Sequence, residues 1–76
     1  MKNRLANQKE RPMKWIDVQD IAIALDESHP EVDPRRVRFV DLHNWVVELP
    51  EFSDDHQRGG EKVLEAIQMA WIDERD

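Results

Sequence analysis

The sequence predicts a single small domain that is mostly α-helical, with four helices, two of them short. Apolar residues recur at the i, i+3, i+4, i+7 spacing of an amphipathic helix in two segments, and a third segment has an apolar face formed by Val63, Leu64, Ile67 and Trp71. No segment shows the sustained alternation that is typical of a long half-buried strand. The chain has 76 residues, 39% of them hydrophobic, which is enough for one core and too few for two domains.

A basic segment precedes the periodic part of the chain. Residues 1–12 carry four basic groups and one acidic group, whereas residues 13–76 carry seven basic and sixteen acidic groups, a net charge of −9. The first segment shows no helical period and ends in Pro12. We therefore expect a flexible basic tail over 1–12 and an acidic helical domain over 13–76.

The first helix is predicted over residues 18–28. Asp17 can cap its start, and it ends before Pro30 because a proline moves the preceding residue out of helical geometry. The apolar residues that define its buried face are Val18, Ile21, Ala22 and Leu25.

Two further helices follow, each bounded by a proline. Asp33 and Pro34 form a start signal, an acidic cap followed by proline at the first helical position, so a short helix is predicted over 34–38. A third helix is predicted over 41–49 and ends at Pro50. Its apolar face consists of Leu42, Trp45, Val46 and Leu49.

Residues 50–60 are rich in turn formers and predict a loop or wing, and the last helix is predicted over 61–73. Residues near Phe39 could pair with the 50–60 segment as in a winged helix, a point that periodicity leaves open. The predicted core comprises Val18, Ile21, Leu25, Val37, Phe39, Leu42, Trp45, Leu49, Phe52, Leu64, Ile67 and Trp71.

The composition argues against catalysis. Cysteine, threonine and tyrosine are absent, and Ser28 and Ser53 are typical of caps and turns. Without cysteine the chain cannot hold a thiolate zinc site or an iron-sulfur cluster. The only glycines, Gly59 and Gly60, form neither a phosphate-binding loop nor a dinucleotide fingerprint. We expect a protein that binds a partner and is not an enzyme.

The histidines and carboxylates are the remaining candidate ligands. His43 lies beside an apolar stripe and is expected to be packed and hydrogen-bonded, whereas His29 and His56 are expected to be solvated loop residues. The dense carboxylates predict at most a weak, oxygen-rich metal site, and ferrous iron suits such ligands without binding tightly. The candidate metal ligands are Asp33, Glu51, Asp54, Asp55 and Glu61.

Five strings of residues together form a specific pattern that runs from Met13 to Glu74. The strings are Trp15-x-Asp17, Ile21-x-x-Ala24-Leu25, Pro30-x-x-Asp33-Pro34-x-x-Val37-Arg38-Phe39-x-Asp41-x-His43-x-Trp45, Leu49-x-x-Phe52-x-Asp54-Asp55, and Glu61-Lys62-x-Leu64-Glu65-Ala66-Ile67-x-x-x-Trp71-x-Asp73-Glu74. This pattern resembles the IscX (YfhJ) family, small accessory proteins of bacterial iron-sulfur cluster assembly. It departs locally: Val40 stands where a hydroxyl residue is expected, so Asp41 would cap the third helix, and Gly59-Gly60 replaces polar residues.

The resemblance implies a winged-helix-like fold, binding to the cysteine desulfurase that supplies sulfur, and weak binding of ferrous iron through acidic residues. It suggests a modulator of assembly and not a scaffold. Together with the charge of −9, it predicts an acidic docking face. The residues expected on that face are Asp17, Asp20, Asp41, Asp54, Asp55, Asp73 and Glu74.

Two other classes of function compete with this one. A winged-helix DNA-binding regulator would need basic groups for phosphate, and the only basic cluster of the domain, Arg35, Arg36 and Arg38, is surrounded by acidic residues. A metal-dependent enzyme or regulator is the third class. No apolar run approaches the roughly 20 residues that span a bilayer, and the N-terminus lacks an apolar signal region, so we expect a cytoplasmic monomer without membrane or nucleic-acid partners.

Overall fold

The computed structural model describes residues 12–76. Three α-helices form this part of the chain: α1 (Val18–Ser28), α2 (Phe39–Val47) and α3 (Glu61–Arg75). Two 3₁₀ turns, Pro34–Arg36 and His56–Arg58, lie between them. The mostly helical class is confirmed, whereas the predicted tail lies outside the described residues except for Pro12.

Helices α1 and α3 make the most extensive contact between elements, and their C-terminal ends meet. Arg75 donates from Nε to Asp26 Oδ1 at 2.7 Å and from Nη1 to the Val32 carbonyl oxygen at 2.7 Å. Trp71 Nε1 donates to the same Asp26 oxygen at 3.3 Å. The last turn of α1 lies beside the last turn of α3, and the rest of α1 contacts the earlier turns of α3. The two helices therefore run in the same direction. These bonds also explain why α3 continues two residues beyond its predicted end.

The second predicted helix is a single 3₁₀ turn, so the prediction of four helices is not confirmed in residues 12–76. Asp33 does cap it, as its side chain accepts the Arg35 backbone N–H at 3.0 Å. The turn ends because Val37 and Arg38 adopt extended geometry to enter α2. Helix α2 therefore begins at Phe39, two residues before the predicted start, and no side chain caps it.

Residues 12–76 contain no β-strand, and the pairing in this region is an isolated parallel bridge between Met13 and Phe52. The residues near Phe39, which the sequence suggested as a pairing partner, belong to α2 instead. The winged-helix arrangement is therefore not confirmed. None of the helices in this part of the chain is long and apolar enough to cross a bilayer.

The core lies between the three helices and contains no polar or charged residue from the described part of the chain. Seven predicted core residues are buried and the other five pack against them partly buried. The partly buried five are Val18, Val37, Phe39, Trp45 and Phe52. Buried hydrophobic residues outside the predicted core list are Met13, Trp15, Ala22, Val46 and Ala70, of which Ala22 and Val46 lie on the predicted apolar faces of their helices.

Candidate docking site around the Trp15 turn

A tight turn precedes α1 and is closed by two hydrogen bonds. The Asp17 N–H donates to the Lys14 carbonyl oxygen at 2.9 Å, and the Lys14 N–H donates to Asp17 Oδ2 at 2.9 Å. Asp17 was expected to cap α1, but its side chain makes no cap hydrogen bond to that helix. Its carboxylate instead fixes the turn that contains Trp15 and Ile16.

The segment before this turn pairs with the loop that follows α2. The Met13 N–H donates to the Glu51 carbonyl oxygen at 2.8 Å, and the Ser53 N–H donates to the Met13 carbonyl oxygen at 2.8 Å. Lys14 Nζ donates to the Ser53 carbonyl oxygen at 3.3 Å. These bonds join segments that are about forty residues apart in sequence, at one end of the helical core.

Trp15 is the centre of the site and is only 4% exposed. Its backbone N–H donates to Asp54 Oδ2 at 3.0 Å, and its indole Nε1 donates to the Asp55 carbonyl oxygen at 2.7 Å. The indole packs edge-on against Phe52, with ring centroids 4.8 Å apart. Both N–H donors of this buried residue are therefore satisfied by the acidic loop.

His43 of α2 closes the other side of the indole. The two rings stack with centroids 5.4 Å apart, and His43 Nε2 donates to the His56 carbonyl oxygen at 2.7 Å. The prediction that His43 is packed and hydrogen-bonded is confirmed. The prediction for His29 was wrong, because it is only partly exposed and its ring stacks on Trp45 at 4.4 Å.

Gly59 lets the loop lie directly against these rings. A Cβ atom at this position would be 2.5 Å from Trp15 Cη2 and 2.8 Å from His43 Cδ2, whereas one at Gly60 would meet nothing within 4 Å. The reason is steric, since the φ angle of Gly59 is −80° and other residues adopt it readily. The two adjacent glycines thus have different roles.

The carboxylate of Asp54 is committed to the backbone. Oδ2 accepts from Trp15 and Oδ1 accepts the Asp55 N–H at 2.7 Å. The backbone N–H of Trp15 and then that of Asp55 lower the pKa of Asp54 from its ordinary value of 3.8. Asp55 caps the second 3₁₀ turn, where its Oδ1 accepts the Gln57 N–H at 3.0 Å. Both residues therefore shape the loop, besides giving it charge.

The seven residues expected on the docking face are divided between the two ends of the core. Asp17, Asp54 and Asp55 surround Trp15, and Asp20 lies in the first turn of α1. Asp41 lies in the first turn of α2, the helix whose His43 stacks on Trp15. The remaining two lie at the C-terminal end of α3, where Arg75 meets Asp26. About 13 Å of α1 separates Asp17 from Asp26, at 1.5 Å per residue.

The five candidate metal ligands are not assembled into a site. Residues 12–76 contain no group of three or more His, Asp or Glu side chains placed to hold a metal ion. Asp33 is engaged at the first 3₁₀ turn, where one oxygen accepts from Arg35 and the other lies 3.9 Å from Arg36 Nε. Asp54 is engaged at the Trp15 turn, and Glu61 begins α3.

The basic cluster is neutralised by acidic neighbours. Arg35 binds Asp76 through Nη2 at 2.9 Å, and Arg38 Nε lies 3.9 Å from Asp41. Arg36 lies beside Asp33, so each of the three arginines has a neighbouring carboxylate. This arrangement disfavours phosphate binding, because DNA recognition needs basic groups that are free to replace counterions.

Sequence reasoning missed the structural roles of Trp15 and Gly59. Both lie outside the helices, so the apolar period could not identify them. The available signals were a tryptophan just before the first helix and a glycine where polar residues are expected. Neither signal identifies the contacting partner.

Comparison with known proteins agrees with the resemblance seen in the motifs. A family model described as iron-sulphur cluster assembly matches residues 13–76. An uncharacterized protein of Pseudomonas aeruginosa is 78% identical over 64 residues, which cover 84% of this chain and 97% of that protein. The chain therefore belongs to the iron-sulphur cluster assembly family, the IscX (YfhJ) family that its motifs resemble.

Proposed function

We propose that this protein is a non-catalytic accessory protein of iron-sulfur cluster assembly, which docks on the cysteine desulfurase through its acidic surface and modulates cluster formation. Family membership supports a role in assembly. The observation that carries the docking proposal is the Trp15 turn, where Asp17, Asp54 and Asp55 are held in fixed positions at one end of the core.

Rigid carboxylates are suited to steering a partner. Mutually fixed charges present one pattern to an approaching surface, and no side-chain entropy is lost in arranging them. The domain carries −9 over residues 13–76, so the complementary surface is rich in Lys and Arg. We place the main contact at the Trp15 end, because five of the seven expected docking residues belong to elements that meet there.

A modulating role follows from the chemistry that the chain lacks. Without a cysteine the protein can neither carry a persulfide nor ligate a cluster through thiolates. Its contribution is then to occupy a surface of the enzyme that carries out the sulfur chemistry. We propose that the protein acts in the cytoplasm, the location that the sequence analysis predicts.

We also propose weak binding of ferrous iron by exposed carboxylates. The described residues do not provide a preassembled site, since Asp33, Asp54 and Asp55 each already accept a backbone N–H group. Any iron is therefore held by loosely placed oxygens at low affinity. Anaerobic titration followed by NMR should give small, salt-sensitive shifts at Glu51, Asp55 and Glu61. Tight binding that follows His43 and His56 would contradict this proposal.

Matched charge reversals test the docking proposal. Asp54→Lys is a poor test because it also removes the bond to Trp15. We choose Asp20→Lys with Asp41→Lys, in the first turns of α1 and α2, and Asp73→Lys with Glu74→Lys at the C-terminal end of α3. Both pairs change the net charge equally, and none of the four side chains holds the Trp15 turn.

Binding to the cysteine desulfurase is measured by calorimetry at 0.1 M and 1 M salt. The affinity of the parent should fall with salt, as the Debye length shortens from about 10 Å to about 3 Å. The first double variant should bind more weakly than the second. Equal effects would mean that only total charge matters, and no binding by the parent at either salt concentration would overturn the proposed function.

A further inference from the structure

Ile16 is the most exposed large hydrophobic side chain in residues 12–76, at 85% exposure. Its neighbour Trp15 is 4% exposed, so the chain turns from the core to solvent within one residue. Isolated exposed apolar residues are common and carry no meaning alone. Ile16 differs because of how its backbone is held and what surrounds it.

The backbone is fixed on both sides of Ile16. Trp15 is bonded to Asp54 and to the Asp55 carbonyl, and Asp17 is bonded to Lys14 in both directions. The β-branched side chain of Ile16 also has few rotamers. A side chain presented in this way loses little conformational freedom when it enters a pocket.

Carboxylates flank this apolar side chain. Asp17 follows it directly, and the Asp54 carboxylate is bonded to the residue before it. The matching surface is an apolar pocket with Lys or Arg at its rim. A second copy of this chain is a poor match, because its domain also carries −9 and would bring like charges together.

We infer that Ile16 is the apolar anchor of the docking surface, inserted in a basic-rimmed apolar pocket of the protein partner. This inference rests on the proposed function, so the partner that provides the pocket is the cysteine desulfurase. The carboxylates orient the partner and speed the encounter, and Ile16, once it is inserted in the pocket, lengthens the lifetime of the complex. Such a division is usual at interfaces, where a few central residues dominate affinity and rim charges mainly affect association.

The test compares Ile16→Ala with Met69→Ala, which truncates another exposed apolar residue, 61% exposed on α3. Both variants should melt close to the parent, since neither side chain is in the core. In calorimetry with the cysteine desulfurase, Ile16→Ala should weaken binding about tenfold or more, and Met69→Ala less than about twofold. The salt dependence of Ile16→Ala should match the parent, because the removed group is uncharged.

The outcomes separate this inference from the proposed function. Binding by the parent with no loss in Ile16→Ala would overturn the anchor and leave the function standing. Absence of binding by the parent would overturn both. Sedimentation of the parent as a dimer that becomes monomeric in Ile16→Ala would assign the pocket to a second copy and contradict the choice of partner.

Discussion

The two ends of the helical core are closed in chemically different ways. At the first end, Trp15 is buried against Phe52 and His43 and bonded to the loop, a set of contacts we call the N-terminal clamp. At the other end, Arg75 binds Asp26 and two backbone carbonyls, which we call the C-terminal clamp. The first depends on close packing of rings, whereas the second depends on a partly exposed charge.

This difference indicates which clamp is the more sensitive to substitution. Close packing tolerates little added volume, and the indole leaves no room for a Cβ at Gly59. The Arg75 side chain of the C-terminal clamp is 30% exposed, so water can replace part of the hydrogen bonding that is lost when this clamp is disrupted. We therefore expect the larger losses of stability at the N-terminal clamp.

Trp15→Ala should have the largest effect, because it removes a buried ring and both packing partners lose contact. The free energy of unfolding should fall by about 3–5 kcal/mol, a large part of the stability of a small domain. Urea denaturation measures this loss. Trp15→Phe keeps an aromatic ring without the Nε1 bond and should lose less. A loss below about 1 kcal/mol in Trp15→Ala would show that the clamp is outside the cooperative core.

The same serine substitution at two adjacent glycines tests close packing directly. Gly59→Ser should lower the free energy of unfolding by about 1–3 kcal/mol, because its Cβ overlaps Trp15 and His43. Gly60→Ser should keep or slightly raise stability, since the site is open and precedes α3 as its N-cap. Thermal melts measure both variants, and an equal drop in their melting temperatures would contradict the packing argument.

Arg75→Gln tests the C-terminal clamp against an exposed ion pair. The variant should lower the free energy of unfolding by about 1–2 kcal/mol, since Asp26 and two carbonyls lose a charged donor that is partly solvated. Arg35→Gln breaks a pair whose side chains are more than half exposed and should cost less than about 1 kcal/mol. Equal losses in denaturant melts would remove the distinction between the two sites.

The smallest effect is expected from Asp54 in acid. The backbone N–H groups of Trp15 and Asp55 lower the pKa of Asp54 in the folded state. Its stabilisation is therefore fully present above the ordinary value of 3.8 and is lost as pH falls through the lower folded-state pKa. In melts from pH 7 to pH 2, the stability of Asp54→Asn should depend less on pH than the stability of the parent. Asp20→Asn controls for charge, and an unchanged profile in Asp54→Asn would contradict this role.

The comparison of the clamps also explains how much could be predicted from the sequence. The bounds of α1 were predicted because its apolar period begins and ends with clear signals at Asp17 and Pro30. The period of α3 was likewise visible, but its last turn was not, because Arg75 extends the helix through contacts with Asp26 and the carbonyls of the preceding loop. Local patterns identify helices, whereas long-range bonds determine where they end.

The candidate site was predicted in composition but not in geometry. The sequence allowed acidic candidates to be named, yet nothing in it indicated that Asp54 holds Trp15 or that Asp73 lies at the opposite end of the core. Hydrogen bonds between residues about forty positions apart leave no periodic trace. The residues predicted for one docking face therefore fall into two groups: five on elements that meet at the Trp15 end, and Asp73 with Glu74 at the opposite end of the core.

The most direct test is an NMR footprint of the partner on the ¹⁵N-labelled full chain. Unlabelled cysteine desulfurase is added at low salt, and the backbone amide signals are followed residue by residue. We expect shifts and broadening over residues 14–20 and 53–57, with little change over residues 73–76. A footprint confined to residues 73–76, or a spectrum that does not change at all, would contradict docking through the Trp15 end.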